Sequence, residues 1–183
     1  MRRHGPWTIT DSTKVYEDPW IRLDHDKVIR PDGLAGTYST VILKAGVTVI
    51  ALDELDNVHL TSEFHYAVGR VTLEGVSGGI ESGEQPLETA ERELVEELGI
   101  LAAGWSSLGT CDPFTSAIRS PVDLFLAEQL SFTDVRPEGT ELIERISLTL
   151  SDAIEHVLDG RITHAPTCIA LLKIWHRRVT KTN

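Results

Sequence analysis

A short segment near the middle of the chain concentrates carboxylates. Between Glu81 and Glu97 it holds seven glutamates and a single basic residue, Arg92. On a helix, Glu93, Glu96 and Glu97 share one face, because positions i, i+3 and i+4 are neighbours. Like charges at this spacing repel, and a solvated helix face normally intersperses lysine with glutamate. The three carboxylates therefore favour a site for a hard divalent cation, which prefers oxygen ligands. A solvated acidic surface is the alternative.

The residues around these carboxylates carry the signals of one helix. Pro86 suits its first turn and Gly99 suits its C-terminal cap. A stripe of apolar residues runs beside the acidic face, and we expect it to pack on a sheet. Its members are Leu87, Ala90, Leu94 and Leu98.

The rest of the pattern predicts a sheet with helices packed on it. Alternating apolar residues predict strands over 20–29, 37–44, 47–53 and 57–64, and near 105–110, 122–128 and 143–150. Ser151 is the predicted N-cap of a helix that ends at Gly160, and a last helix begins at Pro166. This order predicts an α/β (α+β) layer fold. We expect residues 1–45 to form a small antiparallel sheet and residues 46–183 to form the domain with the acidic helix.

Composition excludes several kinds of partner. The 183 residues are 41% hydrophobic, which is enough for a proper core. The net charge of −11 argues against nucleic acid or an anionic membrane, whose phosphates would be repelled. No apolar run approaches the roughly 20 residues of a membrane span, and no secretory signal is visible at the start. Cys111 and Cys168 are too few for a disulfide framework, so we expect a cytoplasmic protein.

The spacing that begins at Gly78 is more specific than its charge. Five residues separate Gly78 from Glu84, and seven more precede Arg92-Glu93-Leu94; Glu96-Glu97 and Gly99-Ile100 each follow after one residue. The pattern matches the Nudix box at every defined position, and the chain resembles Nudix hydrolases. The resemblance implies a sandwich of mixed β-sheet between helices. It also implies cleavage of a nucleoside diphosphate linked to another moiety, with Mg²⁺ or Mn²⁺ as cofactor.

The resemblance implies roles for individual residues of the box. Arg92, together with Glu84, would orient the carboxylates and so assist catalysis. Glu93 and Glu97 would act in catalysis through the metal that they hold. The implied metal ligands are Glu93, Glu96, Glu97 and a backbone carbonyl of Ser77 or Gly78.

Weaker similarity over most of the chain extends to the ADP-ribose pyrophosphatase and nucleotide-sugar hydrolase branch. It is carried by the segments PWIRLDHDKVIRPDG, GTYSTV, LTSEFHYAVG and DGRITHAPTCIALLKIW. In that branch an N-terminal sheet exchanges contacts in a homodimer, which is the role implied for residues 1–45. A catalytic glutamate lies on a loop after the box. Glu141 is the predicted residue here; Glu138 and Glu144 are alternatives, as is an ordinary loop carboxylate.

The same resemblance implies three substrate-binding residues. Trp20 and Tyr38 match two aromatics that sandwich adenine across the dimer interface in related hydrolases; packing within a small sheet is the alternative. His65 stands where the branch often has an arginine, and we expect it to contact phosphate unless its role is structural. The favoured reaction converts ADP-ribose to AMP and ribose 5-phosphate. A GDP- or UDP-sugar substrate and a non-catalytic nucleotide sensor are the alternatives.

Overall fold

A computed structural model describes residues 1–134 and 142–181 of the chain. Its strands are β1 Arg2–His4, β2 Trp7–Glu17, β3 Ile21–Ile29, β4 Ala35–Leu43, β5 Gly46–Leu52, β6 Asn57–His65, β7 Arg70–Glu74, β8 Val76–Gly79, β9 Ile100–Cys111, β10 Ile118–Arg119, β11 Val122–Phe132 and β12 Glu144–Thr149. Its helices are α1 Pro86–Leu98, α2 Leu150–Leu158 and α3 Ala165–Lys181. These elements confirm the predicted α/β (α+β) class. In the part of the chain that the structure describes, no helix is both long and apolar enough to cross a membrane.

The chain divides into two compact units. The first unit contains Met1–Lys44 and Asp112–Pro121, and the second contains Ala45–Cys111 and Val122–Asn183. The first unit thus includes a segment from the middle of the chain, whose strand β10 pairs in parallel with β4. Sequence patterns did not assign this segment, because its pairing partner lies more than 70 residues earlier. The proposed dimerisation of residues 1–45 stays a prediction.

The first unit is built on one sheet with the strand order β1-β2-β3-β4-β10. Its longest strand, β2, was not predicted from the sequence. Ile9 is the only buried residue of this strand, and every residue from Asp11 to Glu17 is exposed. The alternation of buried and exposed side chains that identifies a half-buried strand is therefore absent from most of β2.

The second unit is a sheet between helices, as predicted. The sheet has the order β12-β6-β5-β11-β9, with β7 paired to β6 and β8 paired to β5. It is mixed, because β11 is parallel to β5 and antiparallel to β9. Alternate residues of β5 face opposite layers. Those on one face pack with α1: Val47, Val49 and Ala51 with Ala90, Leu94 and Leu98. Those on the other pack with α2 and α3: Ile50 and Leu52 with Ala153, Ile154, Leu171 and Ile174.

The start of α2 differs from the sequence prediction. The N-cap is Thr149 rather than Ser151, and the helix begins at Leu150. Thr149 has an extended backbone, and its hydroxyl oxygen accepts the backbone N–H of Asp152 at 3.1 Å. Threonine and serine both suit an N-cap, so residue type does not choose between Thr149 and Ser151. The position of the N-cap follows from the end of the preceding strand, β12, at Thr149.

Histidine 59 in β6 gives a prediction for stability. Its side chain is 7% exposed, and neither ring nitrogen has a hydrogen-bond partner among the described residues. Burial lowers the pKa of His59; Asp53, 3.5 Å from Nε2, opposes this shift, and the charge of Arg145 adds to it. The folded state therefore binds a proton less readily than the unfolded state, and the free energy of unfolding falls as the pH drops below about 6.5.

We expect His59→Leu to reduce this pH dependence. Leucine does not titrate, and it leaves no buried polar atom unpaired at this position. Position 59 of the variant therefore contributes no pH dependence to the free energy of unfolding. Denaturant unfolding of both proteins at about pH 7.5 and about pH 5.5 measures the difference: the stability lost on acidification is expected to be smaller in His59→Leu, by at most about 1.4 kcal/mol. Equal losses of stability between the two pH values in both proteins would show that His59 does not cause the pH dependence.

Candidate active site

Helix α1 sets the direction of the acidic face. Its first turn is closed by the backbone N–H of Gln85, which donates to Oε2 of Glu88 at 2.8 Å. At its other end Gly99 has φ 61°, a left-handed conformation that suits glycine. Ala90 and Leu94 are fully buried against the sheet, which fixes the rotation of the helix about its axis.

The predicted apolar stripe holds for three of its four members. Ala90, Leu94 and Leu98 are buried, whereas Leu87 in the first turn is 38% exposed. The prediction that Leu87 packs on the sheet was therefore wrong. Glu97, predicted for the acidic face, is only 9% exposed and lies at the boundary between that face and the core.

Arg92 ties the glutamates of the box together. Its Nε donates to Oε1 of Glu84 at 2.8 Å, and its Nη1 donates to Oε1 of Glu93 at 2.9 Å and to Oε2 of Glu96 at 2.8 Å. A guanidinium group can serve several carboxylates because its donors are arranged as a planar fork. The hydrogen bond from Arg92, aided by the backbone N–H of Glu81, lowers the pKa of Glu84 to about 2. One cation thus offsets much of the repulsion on this face.

Strand β8 lies directly beside the acidic face. It pairs with β5, and Gly78 stands opposite Val47. A Cβ atom at position 78 would overlap the carboxyl group of Glu93 and approach its Cγ to 2.5 Å. The Glu93 side chain therefore packs on the backbone that contains the predicted carbonyl ligand. The hydroxyl of Ser77 donates to the Gly75 carbonyl at 2.9 Å and lies 3.0 Å from the Thr48 hydroxyl, and the predicted contribution of Ser77 to a metal is that of its backbone carbonyl.

The chemistry of these donors fits a hard divalent cation. All of them are carboxylate or carbonyl oxygens, the ligands that Mg²⁺ prefers. Over residues 1–134 and 142–181, however, no three His, Cys, Asp or Glu side chains converge as in an assembled metal centre. Arg92 bonds to one oxygen of Glu93 and to one oxygen of Glu96, and a carboxylate can accept from a guanidinium group and bind a cation at the same time. The roles of these glutamates stay predictions.

The structure places His65 among carboxylates. Its Nε2 lies 3.3 Å from Oε1 of Glu74 and 4.0 Å from Oε2 of Glu63. Glu74 also approaches Nδ1 of His164 at 3.2 Å; burial lowers the pKa of His164, although the charge of Glu74 opposes this shift. Two neighbouring carboxylates would repel a phosphate group. These neighbours favour the structural alternative for His65 over contact with phosphate.

The two predicted base-binding aromatics differ in their surroundings. Trp20 is 70% exposed, and Nζ of Lys44 lies 5.3 Å from the centroid of its ring. Tyr38 is 38% exposed, packs edge-on against Trp7 at 5.6 Å, and donates its hydroxyl to the Ser116 carbonyl. Tyr38 also lines a cavity of about 880 Å³ within the first unit. The alternative of core packing is therefore wrong for Trp20, whereas Tyr38 has structural contacts that its sequence position did not indicate.

Trp20 and Tyr38 of one chain lie well apart along the sheet. Trp20 directly precedes Ile21, and Tyr38 pairs with Asp26 of the same strand. The six residues from Trp20 to Asp26, at about 3.4 Å each, separate the two backbone positions by about 20 Å. A base in contact with two rings holds the rings about 7 Å apart, at about 3.5 Å on each side. The separation favours the clamp that the resemblance implies, with its two rings from different copies of the chain, and this clamp stays a prediction.

Two of the three glutamates predicted for the catalytic loop lie outside the described residues. Glu141 and the alternative Glu138 fall within residues 135–141, which are outside the described residues. The remaining alternative, Glu144, is exposed at the start of β12 and pairs with Ser62. The choice of Glu141 stays a prediction.

Comparison with known proteins identifies the family of the chain. Residues 43–166 match the NUDIX domain, and residues 7–41 match the nucleoside diphosphate sugar hydrolase N-terminal domain. An ADP-ribose pyrophosphatase of Bacillus subtilis is 28% identical over 160 residues, which cover 86% of each chain. An ADP-ribose pyrophosphatase of Mycobacterium tuberculosis is 28% identical over 180 residues, which cover 95% of this chain and 85% of the relative.

A solved structure shows the same fold. The crystal structure of an ADP compounds hydrolase has a TM-score of 0.84 to this chain at 19% identity, over 99% of this chain and 98% of the other. The NUDIX match spans more than half of the chain and includes β8 and all of α1. The chain therefore belongs to the Nudix family and is a hydrolase that resembles ADP-ribose pyrophosphatases.

Proposed function

We propose that the protein hydrolyses ADP-ribose to AMP and ribose 5-phosphate with Mg²⁺ or Mn²⁺ as cofactor. In this reaction water attacks one phosphorus of the diphosphate and the anhydride P–O bond breaks. The observation that carries the proposal is the acidic face of α1, where Arg92 holds Glu84, Glu93 and Glu96 together beside the buried Glu97. The similarity to two ADP-ribose pyrophosphatases supports the choice of substrate.

The residues that would hold the metal are Glu93, Glu96, Glu97 and a backbone carbonyl of Ser77 or Gly78. When bound, a divalent metal neutralises charge on the phosphoryl oxygens and lowers the pKa of a bound water. Such a cation is needed for binding as well as for chemistry, because a protein of net charge −11 would otherwise repel a diphosphate.

The protein's own contribution in this proposal is orientation. Arg92 cannot lose its proton at working pH, so it keeps its hydrogen bonds to the glutamates over the whole pH range of the enzyme. Glu84, with its pKa lowered to about 2, is likewise charged throughout that range. The Glu84–Arg92 pair therefore holds Glu93 and Glu96 in a fixed relation without titrating itself. Such supporting contacts typically contribute 10- to 100-fold to metal affinity or activity, as an order of magnitude.

A turnover screen tests the proposal. ADP-ribose is compared with GDP- and UDP-sugars at equal concentration, with Mg²⁺, with Mn²⁺ and with a chelator, and the products are separated by chromatography. We expect AMP and ribose 5-phosphate as the main products and no turnover with the chelator. Turnover that persists in the chelator would overturn the metal requirement, and a larger kcat/KM for another nucleotide sugar would overturn the substrate.

A nucleotide-sugar substrate other than ADP-ribose is the second candidate. It is favoured by one observation, the match of residues 7–41 to the nucleoside diphosphate sugar hydrolase N-terminal domain. The chemistry at the diphosphate would be the same, and only the base and sugar contacts would differ. The same screen separates the two candidates.

Trp20 offers a test of base binding. We expect Trp20→Ala to raise KM for the best nucleotide about 10-fold, because stacking of a base on an aromatic ring contributes ~1–3 kcal/mol. The melting temperature is expected to change little, since the Trp20 side chain is 70% exposed. Steady-state kinetics and thermal unfolding measure the two quantities.

The matched control is Tyr66→Ala, which removes an aromatic ring that is 95% exposed in the second unit. It is expected to leave KM unchanged.

Light scattering under assay conditions tests the proposed homodimer, which a clamp of Trp20 with the partner's Tyr38 requires. A monomer with normal turnover would contradict the clamp between subunits.

A further inference from the structure

The chain changes its pairing partner immediately before the acidic site. Strand β7 pairs with β6 as far as Glu74, which stands opposite Thr61, and β8 pairs with β5 from Val76, which stands opposite Val49. Gly75 lies between the two strands, and we call Glu74–Ser77 the crossover. Where the chain passes from one pairing partner to the other, some backbone groups point away from both ladders, and buried backbone groups need partners.

Side-chain hydroxyls supply these partners. The peptide between Glu74 and Gly75 is held at both ends: its carbonyl accepts from Oγ1 of Thr61 at 3.3 Å, and its N–H donates to Oγ1 of Thr167 at 2.8 Å. The next carbonyl, that of Gly75, accepts from the hydroxyl of Ser77 at 2.9 Å. Thr61 is 5% exposed and Thr167 is fully buried, so water does not compete for these bonds.

The crossover has no room to shift towards β5. A Cβ atom at position 75 would lie 2.7 Å from the Val49 carbonyl oxygen and 2.8 Å from Cδ1 of Ile50. Only glycine allows this approach. The crossover is therefore confined by β5 on one side and by the threonine hydroxyls on the other.

Thr167 brings a distant part of the chain to the crossover. It lies in the first turn of α3, 92 residues after Gly75. Its own position is restricted, because Oγ1 also lies 2.8 Å from Nδ1 of His164, and this ring contacts Glu74. Thr167 in α3 thus holds the backbone at the end of β7, and His164, just before the helix, contacts the Glu74 side chain.

The consequence of this anchoring reaches the acidic face. Three residues after Gly75, the backbone of Gly78 packs against the carboxyl group of Glu93. We infer that Thr167 is a positioning residue for the metal-binding site: its hydroxyl fixes the Gly75 peptide, and thereby the β8 backbone that lies against Glu93. The inference rests on the proposed function, because it assumes that Glu93 and the β8 backbone hold a metal.

Binding of Mn²⁺ without substrate tests the inference. Titration calorimetry is performed on wild type, Thr167→Val, which has the same shape without the hydroxyl, and Thr167→Ser, which keeps the hydroxyl. We expect Thr167→Val to weaken Mn²⁺ binding about 10-fold and Thr167→Ser to stay within about twofold of wild type, as found for supporting contacts of metal sites. If Thr167→Val does not fold, Thr167→Ala takes its place.

Thr149→Val is the matched control for a general loss of stability. The Thr149 hydroxyl also accepts a backbone N–H, that of Asp152, but it caps α2 instead of the crossover. We expect this variant to melt at a lower temperature and to bind Mn²⁺ like wild type. Equal weakening in Thr149→Val and Thr167→Val would overturn the inference.

Two further outcomes separate the inference from the proposed function. If wild type binds Mn²⁺, Glu97→Gln binds it more weakly and Thr167→Val binds it like wild type, the proposed function stands and the inference fails. If wild type itself binds no Mn²⁺, the metal site fails and the inference fails with it.

Discussion

Replacement of Glu97 by glutamine is expected to lower kcat about 10³-fold, because a metal in such a site contributes several kcal/mol to catalysis. Glutamine has almost the same size and helix propensity as glutamate. It differs in charge, and a neutral amide is a weak ligand for a hard cation. Glu97 is 9% exposed at the boundary between the acidic face and the core, so the variant places a neutral group where a partly buried carboxylate stood. The measurement is kcat on the best substrate, with circular dichroism to confirm the fold.

The control for this experiment is Glu91→Gln. Glu91 lies on the same helix and is exposed, and the substitution makes the same change in charge. We expect kcat of this variant to stay within about twofold of wild type, since a surface charge is screened by salt. A loss of less than about tenfold in Glu97→Gln, or equal losses in both variants, would remove Glu97 from the metal site.

The sequence was sufficient for the parts of the site that depend on local geometry. Glu84, Arg92, Glu93 and Glu96 are close in the chain, and helical periodicity places the last three on neighbouring positions. The structure brings all four together through the guanidinium of Arg92. The charge pattern alone did not reveal that Arg92 bonds to three carboxylates at once.

The contacts that sequence reasoning missed are distant along the chain. Thr167 meets the Gly75 backbone 92 residues away, and β10 pairs with a strand more than 70 residues earlier. No periodic pattern within one segment encodes such a pairing, because it depends on how separate elements pack. Glycine 75 was a visible signal, since a glycine within an extended segment often marks a close approach of backbones.

Trp20 and Tyr38 also show that sequence reasoning does not reveal contacts between distant segments. Sequence similarity treated Trp20 and Tyr38 as one pair, whereas the structure gives one an exposed ring and the other a hydrogen bond to Ser116. Alternating polar and apolar residues in a strand report which face a side chain occupies. They do not report whether another segment covers that face.

Gly78→Ala is expected to lower kcat about 10²-fold or more, because a misplacement of about 1 Å in a catalytic group has effects of that size. The added Cβ would overlap the Glu93 carboxyl group, and Glu93 would have to leave its position against β8. The matched control is Gly104→Ala, where the nearest atoms to a new Cβ lie at 3.5 Å, an ordinary contact distance. We expect the control to keep wild-type kcat. Steady-state kinetics and thermal unfolding of both variants give the comparison.

A double variant distinguishes a clash with Glu93 from a general distortion of β8. Glu93→Ala removes Cγ and the carboxyl group, the atoms of Glu93 that the methyl group added by Gly78→Ala would meet. We expect each single variant to lose activity and the double variant to lose less than the product of the two effects, because residues in contact are not additive. Multiplicative losses in kcat would show that the Gly78→Ala effect does not pass through Glu93, and the proposed packing of the carboxylate on β8 would then be wrong.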